Sequence, residues 1–210
     1  MHTLNPVRAR KIEAIRWRLP ALSRIEAVCP ADGPRGEEVT IIVVVPANGD
    51  DGIQPLYFPY AVPIVMEAIA REAGWDLAAA GAFGQRFAPM HEGGIYPLLP
   101  MVFTAVKMRC RMFHNQNVWG YLNAAGPIEA IVPDTPQRRV PGSRVVFADG
   151  QSVHSSWSAR TVEHKIQTAK SVSRLTGLEL ILEREARAHV WCETPLHRRE
   201  EVEREAAYEC

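Results

Sequence analysis

The most polar and aromatic stretch of the chain is Phe113-His114-Asn115-Gln116-Asn117-Val118-Trp119-Gly120-Tyr121. Side-chain amides hydrogen-bond well to purine edges, and aromatic rings stack on bases, so His114, Asn115, Gln116 and Asn117 are candidate ligand contacts. The same residue types also cap helix ends and turns, a reading that stays open here. Basic residues supply the second ingredient. Arg8, Arg10, Lys11, Arg16, Arg18 and Arg24 crowd the first two dozen residues against Glu13 alone, and Gln137-Arg138-Arg139 adds a second basic group. Cations so grouped suit phosphates, with affinity that falls steeply as salt rises. They also suit a solvated helical face.

The remaining chemistry-bearing residues form no recognisable motif. The seven histidines include no His-x-x-x-His or His-Glu-x-x-His pair, and the four cysteines, Cys29, Cys110, Cys192 and Cys210, include no Cys-x-x-Cys. Neither a zinc framework nor a disulfide scaffold is indicated. Ser152, Ser155, Ser156 and Ser158 lie near His154 but lack a Gly-x-Ser-x-Gly elbow, and Gly93-Gly94 belongs to no phosphate-binding loop. The cofactor is therefore unknown, and Mg²⁺ enters only if an acidic site assembles in space. One such constellation, His114 and His154 with Asp134 or Asp149, would make a polar small-molecule pocket.

These residues must be positioned by a chain of 210 residues that is 47% hydrophobic, 23% charged and formally neutral, enough for one well-buried domain spanning 1–210. Apolar residues at three- and four-residue spacing from Ile12 to Leu22 predict a basic helix over 6–28, with Pro20 a break or kink. Val39–Val45 reads as a buried strand, and Ile64–Glu72 as a short helix stopped by Gly74. Met101, Val102, Ala105, Met108 and Met112 predict a second helix over 98–113. Strands follow at 128–132 and 144–148, the latter joined through Asp149-Gly150 to 151–157 as a hairpin. A helix over 161–175, capped by Ser158 and stopped by Gly177, leads to a strand at 178–182 with alternation through Cys192. The fold class is α+β, a mixed sheet with helices, with a regular core over 98–192 and an acidic tail over 193–210. The absence of a signal peptide or a long apolar span predicts a cytoplasmic protein without membrane contact.

The order helix-strand-strand-strand-helix-strand over 98–185 resembles the core of the restriction-endonuclease-like nucleases, including the endonuclease subunits of heteromeric transposases. Pro141-Gly-Ser-Arg-Val-Val-Phe-Ala-Asp-Gly150 is similar to that family's second-strand stretch, and Leu178-Glu-Leu-Ile-Leu-Glu-Arg-Glu185 to its closing strand. The resemblance implies a Mg²⁺ site built from a first-helix acid, a Pro-Asp and a Glu-x-Lys. Here Gly142 follows the proline, Ser156 and Ser158 occupy the third-strand positions, and no acid lies between Leu98 and Tyr121. Glu163-His164-Lys165 falls on a helix, where residues two apart diverge by about 200°. The expectation is a nucleic-acid-associated accessory protein with a nuclease-like but catalytically degenerate core, binding DNA or RNA. The alternatives are a small-molecule enzyme around His114 and His154, and a structural subunit of a protein complex.

Overall fold

A computed structural model describes residues 5–46, 55–88, 93–109, 117–134 and 142–192, the last fifteen of these by their backbone alone. The fold is α+β. Its elements are α1 (Pro6–Arg16), β1 (Ile25–Asp32), β2 (Glu38–Val44), β3 (Leu56–Phe58), α2 (Val62–Glu72), α3 (Leu77–Phe87), β4 (Ile95–Leu98), β5 (Met101–Lys107), β6 (Trp119–Asn123), β7 (Ile128–Pro133), β8 (Ser143–Phe147), β9 (Ser152–Ser155) and α4 (Ala159–Cys192). The strands form a six-stranded sheet in the order β3-β2-β1-β6-β5-β4 and a three-stranded sheet in the order β7-β8-β9. The expected mixed sheet is thus two sheets whose pairings are all antiparallel.

The large sheet is buried on both faces, which explains its nearly continuous apolar strands. One face takes Ile12 and Ile15 of α1 and Val65, Met66 and Ile69 of α2 against Ile25, Ile42 and Phe103. The opposite face packs Ala27, Val43, Val106 and Leu122 against Val145, Phe147 and Val153 of the small sheet and against Val162, Ile166 and Ala169 of α4. Helix starts and stops follow local chemistry. Asn5 and Asp76 accept the first free amides of α1 and α3, and Ser158 accepts the Thr161 N–H at 3.2 Å. Gly74 ends α2 with φ of +78°, the left-handed backbone that glycine adopts without cost.

Three expected elements are overturned. Residues 98–109 do not form the expected helix, whose last residues 110–113 lie outside the described ones: Leu99 and Pro100 turn β4 into β5, and Met101 through Val106 are all buried. The helix-like spacing arose because a central strand covered on both faces shows no alternation. The expected strand at 178–182, with its alternation to Cys192, is helix, and Gly177 does not stop α4. Leu, Glu, Arg and Ala are strong helix formers, and extending an existing helix needs no new nucleus. The basic helix over 6–28 ends at Arg16. A short 3₁₀ turn at Leu22–Arg24 follows Pro20, and residues from Ile25 enter β1. From β5 onward the order among the described residues is therefore five strands and a helix, not the order that carried the nuclease resemblance.

The chain divides into a unit of Met1–Ser173 and a unit of Arg174–Cys210. In the second unit the described backbone is helical through Cys192, and the expected acidic tail over 193–210 lies outside the described residues. No described helix is long and apolar enough to cross a membrane.

Candidate functional site

The three strand ends that carry the most chemistry meet at one place. β9 docks on the end of β5 because the Lys107 carbonyl accepts the Ser156 N–H at 2.8 Å and the Ser155 and Ser156 hydroxyls at 2.9 and 3.2 Å. Ser143 Oγ donates to the Trp157 carbonyl at 2.9 Å, and the Trp157 N–H donates to Ser155 Oγ at 3.1 Å. Ser143, Ser155 and Ser156 thus supply the hydrogen bonds that fix the residues around them.

Two indoles and two ammonium groups occupy this junction. Trp119 and Lys107 are cross-strand partners in the β5–β6 pairing. Trp119 meets Trp157 edge to face, with ring centroids 5.6 Å apart and planes at 78°. Lys107 Nζ lies 5.5 Å from the Trp119 centroid and 5.7 Å from that of Trp157, and Lys165 Nζ lies 4.7 Å from the Trp157 centroid. The negative faces of the rings hold the cations, and the cations hold the rings in place. Both indoles and Lys107 are half-exposed, whereas Lys165 is buried. Partly exposed indole surface of this kind can stack on flat rings.

Beside this platform His154 Nε2 is ion-paired with Asp134, and its Nδ1 faces the Met108 carbonyl at 3.5 Å. Gly142 makes room for the imidazole: a Cβ there would lie 2.5 Å from the Ser155 carbonyl oxygen and 2.9 Å from His154 Nε2. Both ring nitrogens thus look at acceptors, and the geometry is that of a tie between β7, β9 and the end of β5. Of the constellation considered with it, Asp149 sits at the far turn of the β8–β9 hairpin, Glu163 is exposed on α4, and His114 lies outside the described residues. Among the described residues no group of three or more His, Cys, Asp or Glu side chains is placed to hold a metal ion.

The other expected contacts separate into two groups. In α1, Arg8 pairs with Glu67 at 2.7 Å, and Arg16 with Glu13 and Glu72 at 3.1 and 2.9 Å. Arg18 donates to the Tyr57 carbonyl at 3.3 Å and lies over the Phe58 ring. Arg10 and Lys11 are exposed. The helix is seated on the face of the large sheet opposite the small one, and Arg8 and Arg16 tie it to Glu67 and Glu72 of α2. Asn117 also has a local task. Its Oδ1 accepts the Trp119 N–H at 3.1 Å, its amide donates to the Trp119 carbonyl at 3.3 Å, and its own carbonyl takes Arg109 Nε at 2.7 Å. Arg109 in turn pairs with Asp32 at 2.8 Å.

Asn115, Gln116, Arg138 and Arg139 lie, like His114, outside the described residues. By connectivity, the segments that hold them leave and rejoin the described chain at Arg109 and Asn117, and at Asp134 and Gly142. Lys107, Lys165 and Trp157 were not anticipated from the sequence. The signal available for Lys107 was its place opposite Trp119, which is legible only once 101–107 is read as a strand. Comparison of the chain with protein-family models, with curated proteins and with solved structures gives no match.

Proposed function

We propose that this protein is a nucleic-acid-associated binding module, and that it takes single-stranded nucleic acid on the Trp119–Trp157 platform. The observation that carries the reading is the pair of half-exposed indoles bracketed by Lys107 and Lys165, with nitrogen-to-centroid distances of 4.7 to 5.7 Å. Stacking surfaces combined with fixed cations bind bases and backbone without requiring a sequence. Support also comes from composition. The segments 110–116 and 135–141 contribute Arg111, His114, Asn115, Gln116, Arg138 and Arg139, and both begin and end at residues of this junction.

The reading does not rest on a nuclease-like core, since the observed order of strands and helices is a different one.

The test is a titration of the full chain with a single-stranded oligonucleotide, read by tryptophan fluorescence at several salt concentrations. Stacking on an indole contributes about 1–3 kcal/mol per base. Trp157→Ala should accordingly weaken binding by roughly 5- to 150-fold, and log Kd should rise with log salt. A salt-independent response, or equal affinity in Trp119→Ala and Trp157→Ala variants that keep their fold, would remove the basis of the proposal.

A further inference from the structure

We infer that the cleft between β9 and the outer half of the β1–β2 pair is a second, separate site, for an uncharged aromatic small molecule. Its volume is 440 Å³, within the roughly 300–1,000 Å³ of small-molecule sites. The floor is the cross-strand pair Cys29 and Ile41 with Pro30, Val43 and Pro55, and the wall is Gln151 through His154. This is the second face of the large sheet continued past the end of the small one. Val43 and Val153 belong to the core cluster beneath β8 and β9, while Cys29 and Ile41 lie just beyond that cover and are only half-buried.

The occupant's chemistry follows from how the polar groups of the wall are used. The Gln151 amide donates to the Val44 carbonyl at 2.9 Å and to Asp149 at 2.6 Å. His154 Nε2 is engaged by Asp134 and its Nδ1 faces the Met108 carbonyl. The Cys29 thiol adds only a weakly polar group to the floor. A charged ligand would lose its hydration here and find no opposite charge to replace it, whereas a neutral one is complementary. Proline rings and a polarisable sulfur are good partners for a flat ring. The site does not depend on the nucleic-acid reading, and it uses neither indole of the platform.

The probe is N-phenyl-1-naphthylamine, which is uncharged and fluoresces on leaving water, titrated into the full chain. Saturable enhancement at one probe per chain is expected. Ile41→Trp, which extends a ring into the cleft, should weaken it at least tenfold. Ser152→Tyr, on the exposed wall, serves as a second blocking variant should Ile41→Trp fail to fold. Enhancement that never saturates, or that is unchanged in a folded blocking variant, overturns the inference. Oligonucleotide affinity measured in the same variants should not move, which separates this site from the platform.

Discussion

Glu26 gives the sharpest quantitative test of the structure. It sits in β1 where the pairing with β2 shifts register between Ile25 and Ala27, is 0% exposed, and has no hydrogen-bond partner for either carboxylate oxygen. A buried carboxylate so placed favours its neutral form. Burial first, and the charge of Asp149 second, raise its pKa from the ordinary 4.5 to about 7. Each pH unit of such a gap corresponds to about 1.4 kcal/mol, so the difference between 4.5 and about 7 amounts to about 3 kcal/mol.

The sign follows from proton counting. Between the two pKa values the folded chain holds a proton that the unfolded chain has released, so stability falls as pH rises. The contribution is complete below pH 4.5 and is lost once pH passes about 7. Glu26→Gln imitates the protonated acid. It should be more stable than the parent at pH 8, by up to about 3 kcal/mol less whatever its buried amide costs, and should lose that advantage near pH 4. Urea denaturation with linear extrapolation, run at pH steps from 4 to 8.5, measures both curves. The decisive quantity is the difference between them. Should the two stability curves run parallel across the whole range, Glu26 does not hold a raised pKa and the burial argument fails. Asp149→Asn should flatten the parent's curve in the same direction but by less, since its charge is the smaller of the two causes.

Other perturbations test the packing and the site. Phe147→Ala, at a position 0% exposed between the two sheets, should cost about 3–5 kcal/mol in chemical denaturation. Gly142→Ala drives a Cβ to 2.5 Å from a carbonyl oxygen that strand pairing holds in place; a loss of about 1–3 kcal/mol in thermal unfolding is expected. Arg10→Glu with Lys11→Glu should leave oligonucleotide affinity within about twofold at physiological salt, because the proposed platform is built from Lys107, Trp119, Trp157 and Lys165 and not from α1. A tenfold loss in that double variant would return the phosphate contacts to α1. Arg8→Ala breaks an ion pair whose arginine is half-exposed, so a stability change under about 1 kcal/mol is expected from thermal melts.

Elements whose boundaries are set by local chemistry were legible in the sequence. The Asp149-Gly150 turn, the strands on either side of it, the Ser158 cap and the glycine stop after α2 each depend on a few adjacent residues. The strand at Met101–Lys107 was not legible, and the cause is physical. An interior strand buried on both faces shows no apolar–polar alternation, and Met101, Val102, Ala105 and Met108 then fall by chance on one helical stripe. What separates the alternatives is side-chain shape: Val102, Phe103, Thr104 and Val106 are β-branched or aromatic. The run from Leu178 to Cys192 failed in the opposite way. Its two-residue alternation was genuine, but its residue types favour a helix and a helix already led into it.

The site was hidden by the same error one step further on. Lys107 faces Trp119 only through the β5–β6 register, so reading 98–113 as a helix removed that pair from view. Trp157 reaches them only because Ser155 and Ser156 hydrogen-bond to the Lys107 carbonyl, 48 and 49 residues away along the chain. No period or motif encodes a contact of that kind. The serines of 152–158 nonetheless left a trace, since so many hydroxyls in a short strand and its exit need partners when buried. Asking which carbonyls Ser155 and Ser156 would satisfy, rather than which bond they would attack, points toward a strand end docked beneath them. The polar residues around Trp157 are best understood as what places an aromatic and cationic surface, and the chemistry of binding then belongs to the rings and ammonium groups they hold.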